Sequence, residues 1–312
     1  MERSCAKKEE REFGIGMVHE GIITLRSLGL TAEGWEKMKD DKELAKKVVE
    51  LIEGEKEIWL ERIVARERAC HLAFFDQEFD LTAFAQTLKK YGESKIRFWQ
   101  KLEMEPVFLP EVAMPQDTNF RGWKVKPESW FWQKIAEGRI LRQVGNKLVP
   151  IKEVRLEGIT ALIDTRLKPK YDAGKQMYEN DNLLGPIIED LRRAKKIAKY
   201  EYGPKSSRFG VSADEWETCS KPVLAQKLGL DESQIRLERE IEANVIPQIY
   251  LYMSRKDDGK TDTWEWREEY FEGRGYRLYG GDSDGGGLAN VNYNSSDNHW
   301  NNRSFRPLEV SK

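Results

Sequence analysis

Three prolines fall within ten residues of one another in EPVFLPEVAMPQ, at Pro106, Pro110 and Pro115. Each removes a backbone donor and pushes the residue before it out of the helical region, so no helix crosses this stretch. Upstream, residues 31–53 place Trp35, Met38, Leu44, Val48, Leu51 and Ile52 at mostly three- and four-residue steps. That spacing predicts an amphipathic helix capped by Thr31 and ended by Gly54. A second helical region is expected from Asp80 to Leu102, broken at Tyr91-Gly92, with Phe84, Leu88, Ile96, Phe98 and Trp99 facing a core.

Downstream, the pattern changes. KPESWFWQKIAEG reads as a short helix between Pro127 and Gly138, RILRQVGNKLVPI as two strands around Gly145-Asn146, and GITALIDTRL as a buried strand. NLLGPIIEDLRRAKKIA forms an apolar helical stripe, and its Arg192, Arg193, Lys195 and Lys196 are expected on a solvated face. Ser212 and Glu215 make a capping box for a further helix that Pro222 should break or kink. From VIPQIYLYM onward, strands and turns are expected to the end of the chain. The organisation implied is α+β: a mainly helical region over residues 1–105 and a strand-rich domain over 106–312.

A chain of 312 residues carrying ten Trp, eleven Tyr and twelve Phe can bury a substantial core, since each such side chain contributes about 1.5–3 kcal/mol. Its net charge of −2 gives no electrostatic footprint for nucleic acid. Cys5, Cys70 and Cys219 are too far apart for a metal knuckle or a local disulfide framework. No signal peptide or membrane-spanning run is legible, so the expectation is a cytoplasmic protein unless a particle or partner carries it outward.

Motifs for catalysis and cofactors fail on inspection. Asp282-Ser-Asp284-Gly285 begins like a calcium loop, but counting from Asp282 puts Gly286 at the fifth position and Tyr293 at the twelfth, where oxygen ligands are needed. Gly280-Gly281 and Gly285-Gly286-Gly287 lack the Lys-Ser or Lys-Thr of a phosphate loop and read as tight turns. His19, His71 and His299 are scattered, and no cysteine has an activating neighbour. Glu268-Glu269 is expected on solvated surface, and the alternating Trp130/Trp132 and Trp264/Trp266 are expected in core packing. The reading is therefore of a non-enzyme without cofactor or metal.

One stretch departs from this alphabet. Six of the fifteen residues from Asn290 to Ser304 are asparagine, against five in the preceding 289, and only Asp297 and Arg303 are charged there. Its Asn, Ser, Tyr and His side chains are short or rigid and rich in hydrogen-bonding groups, the chemistry of an antibody combining loop. Val291, Tyr293, Trp300 and Phe305 supply apolar anchors within it.

On GG-x-x-x-GGG, LANVNY, the Asn-dominated patch and the closing Phe305-Arg306-Pro307, the chain resembles the variable proteins of diversity-generating retroelements. In those systems a reverse transcriptase copies a template repeat into a target gene while randomising template adenines. Asparagine codons altered at adenine alone reach Tyr, His, Asp, Ser, Thr, Gly and Arg, but never Lys, Glu, Gln, Met, Trp or a stop. Every residue of the patch except Trp300 obeys that restriction.

The resemblance implies a C-type lectin fold in which the terminal strands meet, PLEV being the last. It also implies a hypervariable patch over about residues 284–304 that binds a protein or glycan. Asn290, Asn292, Asn294, Ser296, Asp297, Asn298, His299, Asn301, Asn302 and Ser304 become the expected contact positions. Val291, Tyr293, Trp300 and Phe305 become their fixed scaffold. Strand alternation places Asn290, Asn292 and Asn294 on one face with Val291 and Tyr293 behind.

LEGITALIDTRLKPKYDAGKQMYENDNLLGPI and YGPKSSRFGVSADEW also resemble uncharacterised proteins of candidate-phyla-radiation bacteria. The alternatives are a fixed-specificity carbohydrate-binding lectin, helped by Asp282 and Asp284, and a lectin-fold enzyme related to formylglycine-generating oxidases. The latter relies on C-terminal cysteines, and this chain has none after Cys219.

Overall fold

The computed structural model describes residues 31–174, 181–281 and 290–311. Asp282 and Asp284, with the triple glycine after them, lie outside those residues, as do Cys5 and His19. The chain divides into two compact units between Trp59 and Leu60.

In the first unit, α1 (Ala32–Asp40) starts where expected: Thr31 accepts a hydrogen bond from the Gly34 amide at 3.1 Å. Asp41 is extended and interrupts the helix, and its carboxylate accepts from the amides of Glu43 and Leu44. This starts α2 (Lys42–Phe75), which runs straight through Gly54. A single interior glycine costs only about 1 kcal/mol, too little to stop a long helix.

The second unit begins within α2 and continues with α3 (Thr82–Tyr91) and α4 (Glu93–Lys101), hinged at Gly92 with φ +79°. Phe84, Leu88, Ile96 and Trp99 are buried as their spacing predicts, whereas Phe98 is 41% exposed. There follow β1 (Met104–Ala113), α5 (Ser129–Ala136), β2 (Ile140–Val144), β3 (Lys147–Pro150), β4 (Arg155–Asp164), α6 (Leu184–Arg193), α7 (Lys221–Leu228) and β5 (Ile235–Leu237). The unit closes with α8 (Glu240–Ile249), β6 (Trp264–Phe271), β7 (Gly273–Gly280), β8 (Val291–Ser295), β9 (Arg303–Phe305) and β10 (Pro307–Ser311).

The described chain is thus mixed, 41% helical and 23% strand, with a helical N-terminal region and mainly antiparallel sheets. None of its described helices is long and apolar enough to cross a membrane.

The proline stretch forms part of a sheet within the second unit. Pro106 and Pro110 lie inside β1, which is the edge of a four-stranded sheet ordered β1-β4-β10-β5. An edge strand leaves one row of amides without sheet partners, so missing donors there cost little. The second compact unit starts at Leu60. β10 lies between β4 and β5, both antiparallel, so the closing PLEV is indeed a strand.

A second sheet is ordered β3-β2-β6-β7-β8, with β9 running parallel to β6. Phe131, Ile140, Leu156, Ile163, Val245, Ile249, Phe271, Leu278, Val291 and Leu308 belong to one buried cluster with strands of both sheets in it.

Three expectations are corrected. VIPQIYLYM is not a strand: residues 240–249 form α8 with Pro247 inside it. The helix is buried on nearly every side, so its apolar run carries no 3.6-residue contrast to separate it from a buried strand. The expected break before Pro222 is a π-helical turn: Trp216–Ser220 separate the α-helical turn Ala213–Glu215 from α7 and leave Pro222 near the α-helical start, where its missing amide is tolerated.

Arg192 is not solvated. It is buried and donates to the carbonyls of Ala198, Lys205, Ser207 and Phe209, tying a loop to α6. Glu269 is likewise buried, and Glu268 is largely covered by Arg277. Of the alternating tryptophans, Trp130 and Trp132 are on a helix, while Trp266 is fully buried in β6.

The interior also holds an ion network that composition does not reveal. Asp164 accepts from Arg208 at 2.7 Å and Arg166 at 3.0 Å, and Arg208 also donates to Asp181 at 2.7 Å. Arg255 grips Glu238 with bonds of 2.6 and 2.8 Å. Arg306 reaches Asp258 at 2.9 Å and Glu265 at 3.3 Å, and Arg267 bridges Glu240 and Glu265. Burying such charges is tolerable only because each finds opposite charge and directed donors. Glu265 and Arg267 alternate with Trp264 and Trp266 along β6, so the network and the tryptophans take opposite faces of that strand.

Candidate functional site

The Asn-rich patch is built on β8, an edge strand that pairs with β7. The register sets Val291 opposite Gly280, Asn292 opposite Tyr279, Tyr293 opposite Leu278 and Asn294 opposite Arg277. Val291 points into the core at 3% exposure. The Tyr293 ring stacks on Phe271 at 3.8 Å between centroids, and lies nearly parallel to Trp130 at 6.0 Å. Asn292 and Asn294 therefore take the other face, with Asn292 exposed and Asn294 half-exposed. Asn290 precedes the strand and is half-exposed, its carbonyl accepting from the Gly281 amide.

After β8, Ser295 and Asn298 close a turn, and Asp297 and His299 stand exposed. His299 Nε2 lies 3.0 Å from Glu215 Oε1; the same carboxylate accepts from the Ala198 and Ser212 amides. Asn301 is half-exposed and donates to the Tyr171 hydroxyl. Asn302 is half-exposed as well.

Ser296 and Ser304 are exceptions to the expected contact set. They are 4% and 0% exposed, and Ser304 sits in β9 beside Glu265, so both are closed to a ligand in this chain. Trp300 also departs from expectation. Assigned to the scaffold, it is 48% exposed, whereas Phe305 is fully buried against Trp216 at 4.8 Å.

The patch is held by its main chain. The Val291 amide donates to Glu128 at 2.6 Å, and the Ser296 amide to the Gly275 carbonyl at 2.9 Å. In the other direction, the carbonyls of Ser296, Asn302 and Arg303 accept from the amides of Asp214, Trp264 and Gly210 at 3.0–3.1 Å. The Asn301 carbonyl accepts from the Tyr200 hydroxyl at 2.8 Å. These bonds fix the backbone path whatever side chains it carries. Among the described residues, side-chain bonds of Asn292, Asn294 and Asp297 stay within the strand and turn, reaching Tyr293 and Ser295.

Under the patch lies a residue that the sequence reading did not single out. Arg303 is 1% exposed, and its guanidinium carbon sits 3.6 Å from the Tyr279 ring centroid, 4.2 Å from Trp266 and 5.3 Å from Trp300. Its Nε and Nη1 have no hydrogen-bond partner. Burial, offset in part by Tyr279, lowers its pKa to about 10. The available signal was Phe305: with Phe305 inside, strand alternation puts Arg303 on the same side.

Elsewhere a polar cavity of about 480 Å³ is lined by Arg236, Arg239, Lys221, Glu157, Glu217 and Glu268, among others. Its cations already hold carboxylates: Arg236 with Glu242, Arg239 with Glu157, Lys221 with Glu217. Among the described residues, no group of three or more His, Cys, Asp or Glu is arranged to hold a metal ion. Comparison with protein-family models, curated proteins and solved structures gives no match.

Proposed function

We propose that this chain is a non-enzymatic ligand-binding protein whose second unit has a C-type lectin fold. Its C-terminal surface would be diversified by adenine-directed mutagenesis from a retroelement template and would present a protein- or glycan-binding face. The observation that carries the reading is the division of labour in the patch. Backbone amides and carbonyls of residues 291, 296, 301, 302 and 303 hold its path, while the side chains of Asn292, Asn294, Asp297, Asn298, His299 and Asn301 project from it. A surface that must accept many sequences needs a frame indifferent to those sequences. Further support for the fold comes from β1 and β10, the first and last strands of the unit, which flank β4 in one antiparallel sheet.

The test is a displayed library with those six positions drawn from the residues that adenine mutation of an Asn codon can reach, selected against panels of proteins and glycans. Distinct binders that keep the parental melting temperature are expected. Binding that survives replacement of all six positions by serine would place the ligand site elsewhere.

A further inference from the structure

The patch has a floor, and that floor has unspent chemistry. Asn292 pairs across the strands with Tyr279, so its side chain shares a face with the Tyr279 ring, and Tyr279, Trp266 and Trp300 surround the Arg303 guanidinium. Elsewhere in the interior Arg208, Arg255, Arg267 and Arg277 each hold a carboxylate within 3.0 Å. Arg303 forms no ion pair among the described residues, and its Nε and Nη1 donors are unpaired although the residue is only 1% exposed. The Tyr279 side chain accepts one hydrogen bond from this guanidinium, but a cation stripped of water still lacks acceptors for the Nε and Nη1 donors.

Three rings lie within 5.3 Å of the guanidinium carbon, and the free Nε and Nη1 donors each call for an oxygen acceptor. We propose that Arg303 is a carboxylate subsite in the floor of the variable face, which receives an acidic group of the bound ligand when the Trp300 ring swings aside. The assignment rests on the reading of the patch as a ligand-binding face. A single buried positive charge neutralises a singly charged carboxylate and leaves a doubly charged phosphate with one charge uncompensated. Trp300 is the door because it is the one cage ring that stands half in solvent, at 48% exposure, and it belongs to the turn between β8 and β9 rather than to a strand. The subsite would supply constant affinity for acidic groups, while the six variable side chains around it choose among the ligands that carry one.

The experiment follows the Arg303 Nε–H resonance of the full chain by 1H–15N NMR, assigned by its absence from R303K and R303M. Sodium acetate is titrated against sodium chloride and phosphate at matched ionic strength. A saturable shift with acetate, absent with chloride and at least roughly tenfold weaker with phosphate, is expected, since the second charge of phosphate would be buried without a partner. W300A, altered at an exposed ring, should bind acetate more tightly or exchange it faster. In R303K and R303M, acetate should no longer raise the melting temperature. Should R303M fail to fold, R303K and W300A decide the matter alone.

No saturable shift in either the parent or W300A overturns the subsite, and a response to phosphate equal to that for acetate overturns its assignment to carboxylates. Library clones that bind their targets equally well with R303K would remove the subsite while leaving the diversified surface intact. A normal acetate response in a library that yields no binders would do the reverse.

Discussion

Replacing Asn292, Asn294, Asp297 and Asn298 together by serine separates a frame held by main chain from one held by side chains. The bonds lost are short-range: Asn292 to the Tyr293 amide at 2.8 Å, Asn294 to the Ser295 amide at 2.7 Å, and Asp297 to the Ser295 hydroxyl. Asn292 and Asp297 are exposed and the other two half-exposed, so each change should stay within about 0.5 kcal/mol and the four within about 2 kcal/mol. In a unit of this size, that lowers the melting temperature by roughly 4–8 °C at most. Phe305→Ala provides the contrast. Its ring is fully buried against Trp216, and its loss should cost about 3–5 kcal/mol by itself. Thermal and urea melts of the three proteins, with near-ultraviolet circular dichroism to report packing, make the comparison. A fourfold variant as damaged as Phe305→Ala would mean that the side chains hold the patch, and the argument from backbone anchoring would fail.

Three further predictions concern the scaffold. Burial pushes the Glu309 carboxyl up to about 8, with Lys95 only partly opposing it, so the folded chain keeps a proton that the unfolded chain releases above about pH 4.5. Stability should therefore fall as pH rises between those values, and Glu309→Gln should remove about 3 kcal/mol of that fall between pH 5 and 8.5 in urea titrations. Parallel profiles for parent and variant would refute it. Asp164→Asn leaves Arg208 and Arg166 short of a fully buried counter-charge and should cost about 3–5 kcal/mol by urea midpoint. Gly280→Ala would set a Cβ 2.6 Å from Glu240 Oε2 and 2.9 Å from the Asn290 carbonyl. It should destabilise by about 1–3 kcal/mol in a thermal melt, and an unchanged melting temperature would show that the strand shifts freely there.

Local chemistry was the legible part of this fold. Thr31, the Ser212–Glu215 box and the Gly145-Asn146 hairpin act through neighbours in sequence, and the structure has all three. What sequence concealed depends on distant partners. Pro106 marks an edge strand only because β4 and β10 lie to one side of it, and α8 loses its helical signature because it is buried almost all round. Arg208 meets Asp164 across 44 residues, a pairing that spacing cannot announce. In the patch, alternation correctly separated Val291 from Asn292. The pattern failed at Ser296 and Ser304, where an alphabet shared with exposed positions hides a turn and a strand folded inward.

The most direct measurement on the central claim is the nucleotide sequence around the gene, read together with that of sibling copies. The account predicts a near-copy of the codons for residues 284–304 beside a reverse-transcriptase gene, differing from the coding copy only where the template has adenine. Differences should concentrate at Asn292, Asn294, Asp297, Asn298, His299 and Asn301 and spare Val291, Tyr293, Trp300 and Phe305. A locus without such a repeat, or siblings that vary equally at other bases and at those four anchors, would contradict it.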